Sequence, residues 1–227
     1  MKKQKKIFIG IDLGGKQKKT TGICILEEKN GRIGFLKDYC SKCKDLKGEY
    51  VFEVIKPYLE ETRVIAIDAP LTKGKGKGDM RLYEKFLSTK IFRQERITPL
   101  PPALMPSLCA FASEIVDWLQ KQGFILDLNL IETFPTLVEE ICRKNFVFLF
   151  FGRKPPCNTK NQKSALVCAI VAYLHSHFRT RYLGYKDGFL FLPEPSLWKN
   201  QWRQKFYKAW REKPFLRYKY LITNIFD

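Results

Sequence analysis

Three apolar runs rich in β-formers each carry a carboxylate at or near their end, and this pattern constrains the fold more than any other feature of the chain. Ile7–Leu13 holds Asp12, Val64–Ile67 stops at Asp68, and Leu128–Phe134 contains Glu132. Such runs are strand material, and strand interiors seldom hold Asp because an unpaired buried charge is costly. The segments around them supply the rest of the layout. A lysine-rich Gly turn leads from the first run to Thr20–Leu26, and the Asn30-Gly31 turn leads on to Arg32–Tyr39. Three antiparallel strands therefore open the fold. Glu49–Glu60 repeats its apolar residues at helical spacing before the Val64–Ile67 strand, so the chain crosses over and the sheet becomes mixed.

Helical patterns recur over Arg81–Phe86, Leu108–Gln120 (closed by Gly123), Leu137–Cys142 and Lys160–Phe178, with a last short strand at Phe189–Leu192. Phe146–Phe151 is too short to classify by period, and Lys73–Gly78 alternates Lys with Gly, which reads as a mobile loop beside Asp68. The sum is an α/β fold with a mixed sheet and helices on both faces. With 227 residues, 45% of them hydrophobic, there is material for one domain and an appendage. We place the domain at 1–195 and a basic, aromatic, helical extension at 196–227. In that extension Trp198, Trp202, Phe206 and Trp210 recur every four residues among lysines and arginines. Two readings of the extension stay open: its aromatics stack on unpaired bases, or they dock on the core.

Lys plus Arg number 41 against 23 Asp plus Glu, a formal charge of +18. Such a surface attracts polyanions by releasing their condensed counterions, which points to nucleic acid as partner, although surface charge also serves solubility. The seven cysteines suggest no even disulfide framework and suit a reducing cytoplasm. Cys40 and Cys43 have the spacing of half a zinc site, with no second pair to complete it. The apolar stretch after the basic N-terminus is broken at Asp12, so no signal peptide is expected, and the longest apolar run, Ala165–Leu174, is too short for a membrane span.

Asp12, Asp68 and Glu132 would converge if their strands are neighbours, giving the hard oxygen donors that Mg2+ or Mn2+ prefer and a setting for phosphodiester chemistry. Each alone reads equally well as a strand-end cap or turn former.

Several motifs resemble those of the domain of unknown function family 429. They are Gly10-Ile11-Asp12-Leu13-Gly14 with Thr21-Gly22, Ile67-Asp68-Ala69-Pro70-Leu71, Arg81 with Glu84, and Glu132-Thr133-Phe134-Pro135. Ala165-Leu166-Val167-Cys168-Ala169 with Ala172-Tyr173, and Gly188-Phe189-Leu190-Phe191-Leu192-Pro193, complete the order. The resemblance spans residues 7–193. That family is regarded as nucleases with a ribonuclease H-like fold. It implies that Asp12 and Asp68 bind metal with Glu132 nearby, all three being catalytic. It also implies that Arg81, which could otherwise be an ordinary surface arginine, holds a phosphate oxygen. Lys16, Arg81, Glu84 and Ser164 are the candidate substrate contacts. Ser164 is a departure, because the family's final helix usually opens with an aspartate there, and Asn161 stands one turn earlier. Either Glu132 completes the metal site or the chain is a degenerate member.

Two other function classes compete with a nuclease. Asp12-Leu13-Gly14-Gly15-Lys16 is similar to the first phosphate loop of actin-like ATPases, which suggests an ATP-dependent phosphotransferase, although 227 residues leave little room for the second domain of those proteins. The other class is a non-catalytic nucleic-acid-binding protein.

Overall fold

The computed structural model describes residues 5–36, 44–152, 155–213 and 218–227. The chain opens with β1 (Lys6–Asp12), β2 (Thr21–Lys29) and β3 (Arg32–Phe35), paired antiparallel in turn as expected. Asn30 and Gly31 make the turn between β2 and β3 at φ of 52° and 73°, left-handed values that these two residues tolerate best. The end of the third strand as read to Tyr39, together with Cys40 and Cys43, lies outside the described residues. A short β4 (Lys44–Leu46), which carries no sequence signal, pairs with the start of β2.

The expected first helix is a short α1 (Val51–Ile55) between two 3-10 turns, with Pro57 at the start of the second. It crosses to β5 (Thr62–Asp68), which lies parallel to β1 on the side away from β2. There follow α2 (Leu82–Leu87), α3 (Lys90–Gln94), α4 (Pro106–Lys121) and β6 (Leu130–Glu132), parallel to β5. Next come α5 (Pro135–Ile141), the single turn α6 (Phe148–Phe151) and the long α7 (Lys160–Ser176). A hairpin of β7 (Thr180–Tyr185) and β8 (Gly188–Pro193) places β8 beside β6, and after α8 (Asn200–Glu212) a short β9 (Ile222–Thr223) pairs with β7. The mixed sheet runs β3-β2-β1-β5-β6-β8-β7-β9, with β4 alongside β2.

Both faces of this sheet are covered, which is why its central strands read as unbroken apolar runs. Ile7, Ile9, Ile11, Ile65 and Ile67 pack under α4 through Phe111, Ala112, Ile115 and Leu119. On the other face Phe8, Cys24, Leu26 and Ala66 meet α7, which is buried on most sides. Two glycines set the height of α7 above the sheet. A Cβ on Gly10 would lie 2.1 Å from the Ala165 carbonyl oxygen, and one on Gly22 would lie 2.3 Å from that of Asn161. The helix start is thereby seated directly on β1 and β2.

The C-terminal extension docks its aromatic face on the α7 side of the core. Trp198, Trp202 and Phe206 are buried, Phe206 meets Phe92 edge-on at 5.0 Å, and the Trp198 indole donates to the Pro193 carbonyl at 2.8 Å. These rings are therefore not available to stack on bases. Their cations face outward instead, the usual division along an amphipathic helix. Among the described residues no helix is long and apolar enough to cross a membrane.

Candidate active site at the strand ends

β1 and β5 run in register so that Asp12 stands directly opposite Asp68 at the C-terminal ends of the two central strands. Side chains alternate along a strand. With Ile11 and Ile67 turned toward α4, Asp12 and Asp68 fall on the face that α7 covers. The start of α7 is fixed above them. Thr159 caps it by accepting from the Gln162 amide at 3.1 Å, and Asp45 on β4 accepts from the Thr159 hydroxyl at 3.0 Å and from Gln162 Nε2 at 3.4 Å. Lys160 and Ser164 share one helix face and act on the same carboxylate. Gly10 and Gly22 are what let this helix end come so close.

Burial raises Asp12 from its ordinary 3.8 to about 6; a hydrogen bond with the Ser164 hydroxyl and the charge of Lys160 oppose the rise, and Asp45 adds to it. Asp68 is driven well above the usual carboxylate range, first by burial and then by Asp12 and Glu132, with Lys160 opposing. Among the described residues neither Asp12 nor Asp68 has an ion-pair partner.

Glu132 occupies the neighbouring strand but is committed elsewhere. Arg81 Nη1 donates to its Oε2 at 2.5 Å and Nη2 to its Oε1 at 2.8 Å; the Leu71 amide adds a bond at 3.0 Å, and the Tyr83 hydroxyl adds another. A carboxylate that already accepts four hydrogen bonds, two of them from a guanidinium fork, has little capacity left for a cation. Glu132, expected as a third metal carboxylate, is thus engaged by Arg81, Tyr83 and the Leu71 amide, whereas Asp12 and Asp68 are not. Among the described residues no group of three or more His, Cys, Asp or Glu side chains is placed to hold a metal ion.

Arg81 is the other half of the pair with Glu132. It is fully buried rather than at the surface, and its guanidinium grips Glu132 and, at 2.5 Å, Glu84, instead of being held out for a phosphate. Burial alone would lower its pKa, but Glu132 and the bond to Glu84 more than offset that, so the guanidinium stays charged. Glu84 accepts from the Arg81 amide at 2.7 Å and closes a capping box at the start of α2, while also lining the cavity at the strand ends. Lys16 turns away from the carboxylates. Its ammonium bonds Glu114 on α4 at 2.8 Å and lies 5.5 Å from the centre of the Phe111 ring.

A cavity of about 260 Å³ opens at these strand ends, with Asp12, Asp68 and the Arg81–Glu132 pair on its floor and Leu87, Pro99, Met105 and Phe134 among its walls. The proline cluster that interrupts the helical pattern thus becomes one wall of the site. Sequence reasoning missed Lys160, which the four-residue step back from Ser164 could have found, and Asp45, for which a three-residue strand offers no signal. The chain matches no family model, no curated protein and no solved structure.

Proposed function

We propose that the chain is a divalent-metal-dependent nuclease of the ribonuclease H-like class, in line with its resemblance to the domain of unknown function family 429. The observation that carries this reading is the Asp12–Asp68 pair. Among the described residues these two carboxylates, in register across the strands, form no ion pair and are eased by the nearby charge of Lys160, while their neighbour Glu132 is paired with Arg81. Mg2+ and Mn2+ fit that donor set, since they take one or two carboxylates, keep several waters and accept a hydroxyl such as Ser164 as an outer partner. Such an ion would polarise a phosphate oxygen and lower the pKa of a bound water.

The remaining chemistry belongs to the chain's own residues. Asp12 and Asp68 would hold the ion, and Lys160 at the helix start is placed to attract a phosphate oxygen. The Arg81–Glu132 pair ties α2 to β6 and so fixes one wall of the cavity. The strand order supports the fold class, because three antiparallel strands continue into parallel strands on the far side of β1. A charge of +18 supports nucleic acid, DNA or RNA, as the substrate. The thiols of Cys109, Cys142 and Cys168 fit a cytoplasmic setting. The phosphotransferase reading has less support, since Lys16, its phosphate-loop lysine, bonds Glu114. The test is a cleavage assay on single-stranded, duplex and branched DNA and RNA with Mg2+ or Mn2+, run beside Asp12→Asn. Metal-dependent cleavage lost in the variant supports the proposal. Binding without cleavage on every substrate replaces it with the non-catalytic binder.

A further inference from the structure

Helix α2 has two sides. Tyr83, Glu84 and Leu87 face the acidic cavity, whereas Lys85 and Ser88 face a second, wider groove of about 590 Å³. Lys85, Lys90 and Arg93 line that groove together with Ser88, Thr89 and Tyr218, and among the described residues no acidic side chain lines it. Among the described residues none of these three cations has an ion-pair partner. Glu95, just beyond the groove, is engaged by Lys205, and Lys199 and Arg179 are likewise paired. Unpaired cations gathered in a concavity, with hydroxyls between them, are what a phosphate backbone needs.

The groove also continues toward the carboxylates. Gly76 lets the Lys85 ammonium lie against the Lys-Gly segment, since a Cβ there would come within 1.9 Å of Lys85 Nζ. Lys73, Lys75 and Lys77 of that segment are exposed, and the segment begins a few residues after Asp68. Lys73, Lys75 and Lys77 thus carry positive charge from near the end of β5 toward Lys85, and residues of α2 line both the groove and the cavity.

From this we infer that the Lys85–Lys90–Arg93 groove binds the sugar-phosphate backbone of a single nucleic-acid strand, flanking the phosphodiester presented to Asp12 and Asp68. The identity of the strand as substrate rests on the nuclease reading; the groove's affinity for it does not.

The experiment measures fluorescence anisotropy of a labelled single-stranded oligonucleotide with the full chain in EDTA, where no metal-dependent cleavage intervenes. The parent is compared with Lys85→Gln/Lys90→Gln/Arg93→Gln and with a charge-matched control, Lys56→Gln/Lys121→Gln/Lys144→Gln. Each phosphate contact on a single strand contributes about −0.7 to the slope of log affinity against log salt, so three lost contacts should flatten the slope by about 2. Between about 50 and 200 mM salt the parent should then lose about 20-fold more affinity than the groove variant. Because Lys85 is half-buried, Lys90→Gln/Arg93→Gln serves as the variant with only exposed changes, and its expected difference is about 7-fold. A groove variant that keeps the slope of the control overturns the inference. So does a variant that loses binding only to anionic lipid vesicles, which would make the groove a membrane contact. A flattened slope in a protein that never cleaves sustains the groove and sinks the nuclease reading, whereas cleavage with an unchanged slope does the reverse.

Discussion

Asp12→Asn should make the metal-free protein more stable at neutral pH, and the gain should vanish in acid. The side chain stands half-buried beside Asp68, and burial is the main reason its pKa lies near 6 rather than 3.8. A carboxyl whose folded pKa is raised binds its proton more tightly in the native state, so stability falls as pH climbs from the unfolded value to the folded one and stays low above it. The span from 3.8 to about 6 corresponds to about 3 kcal/mol against the ionised form. Partial exposure reduces this to about 1–2 kcal/mol. The amide keeps the shape and a hydrogen-bond acceptor for Ser164 but carries no charge. Neutralising it also relieves Asp68, whose own rise Asp12 helps to cause. Urea unfolding of parent and variant in EDTA, at about pH 4 and about pH 8, measures the difference directly. The variant's advantage should appear only at the higher pH and with no change in m-value. Saturating Mg2+ should then reverse it, since ligand at about 100 times its Kd stabilises the parent by about 2.7 kcal/mol. A variant that is less stable than the parent at about pH 8, or an equal gap at both pH values, would refute the claim that burial at the strand ends disfavours the charged Asp12 carboxylate.

Other changes test the surrounding parts. Ser164→Asp should lower metal-free stability and enlarge the Mg2+-induced rise in melting temperature, because a third carboxylate joins the pair; equal rises in parent and variant would place Ser164 away from the ion. Arg81→Met should cost about 3–5 kcal/mol in urea unfolding, as it leaves Glu132 buried without its counter-charge. The double change Arg81→Met/Glu132→Gln should recover part of that loss, and no recovery would mean that the guanidinium matters for packing alone. Trp202→Ala should cost about 3–5 kcal/mol if the extension is core, whereas a near-neutral result would mean that α8 is only loosely attached.

The opening strands, the crossover, the long α7 and the positions of Asp12 and Asp68 were legible because each rests on a local pattern: a β-branched run, a Gly turn, or a helix apolar on nearly all faces. What could not be read was how partners divide. Nothing local distinguishes Glu132 from the other two strand-end carboxylates. Only the fold brings Arg81, fifty-one positions earlier, into a fork around it. Lys16 looked like a phosphate-loop lysine until α4 placed Glu114 within reach. Likewise β4 and β9 are too short to show a period, since their pairing is imposed by β2 and β7. The four-residue spacing marked one face of α8 at Trp202, Phe206 and Trp210, but Trp198 precedes that helix, the tail expected to be helical also forms β9, and the spacing is silent on whether core or ligand covers the face.

The docking of the tail has a consequence for the order in which the chain can fold as it is made. Phe86 and Phe92 belong to the first half of the sequence, yet Trp202, Phe206, Trp210 and Tyr218 cover them. A nascent chain that has already built β1 through β8 would still expose that aromatic surface while residues 198–218 remain inside the ribosome. Apolar surface of this kind is what chaperones capture and what drives aggregation when synthesis stalls. Late arrest of translation should therefore be more damaging to this protein than its early, well-formed sheet suggests.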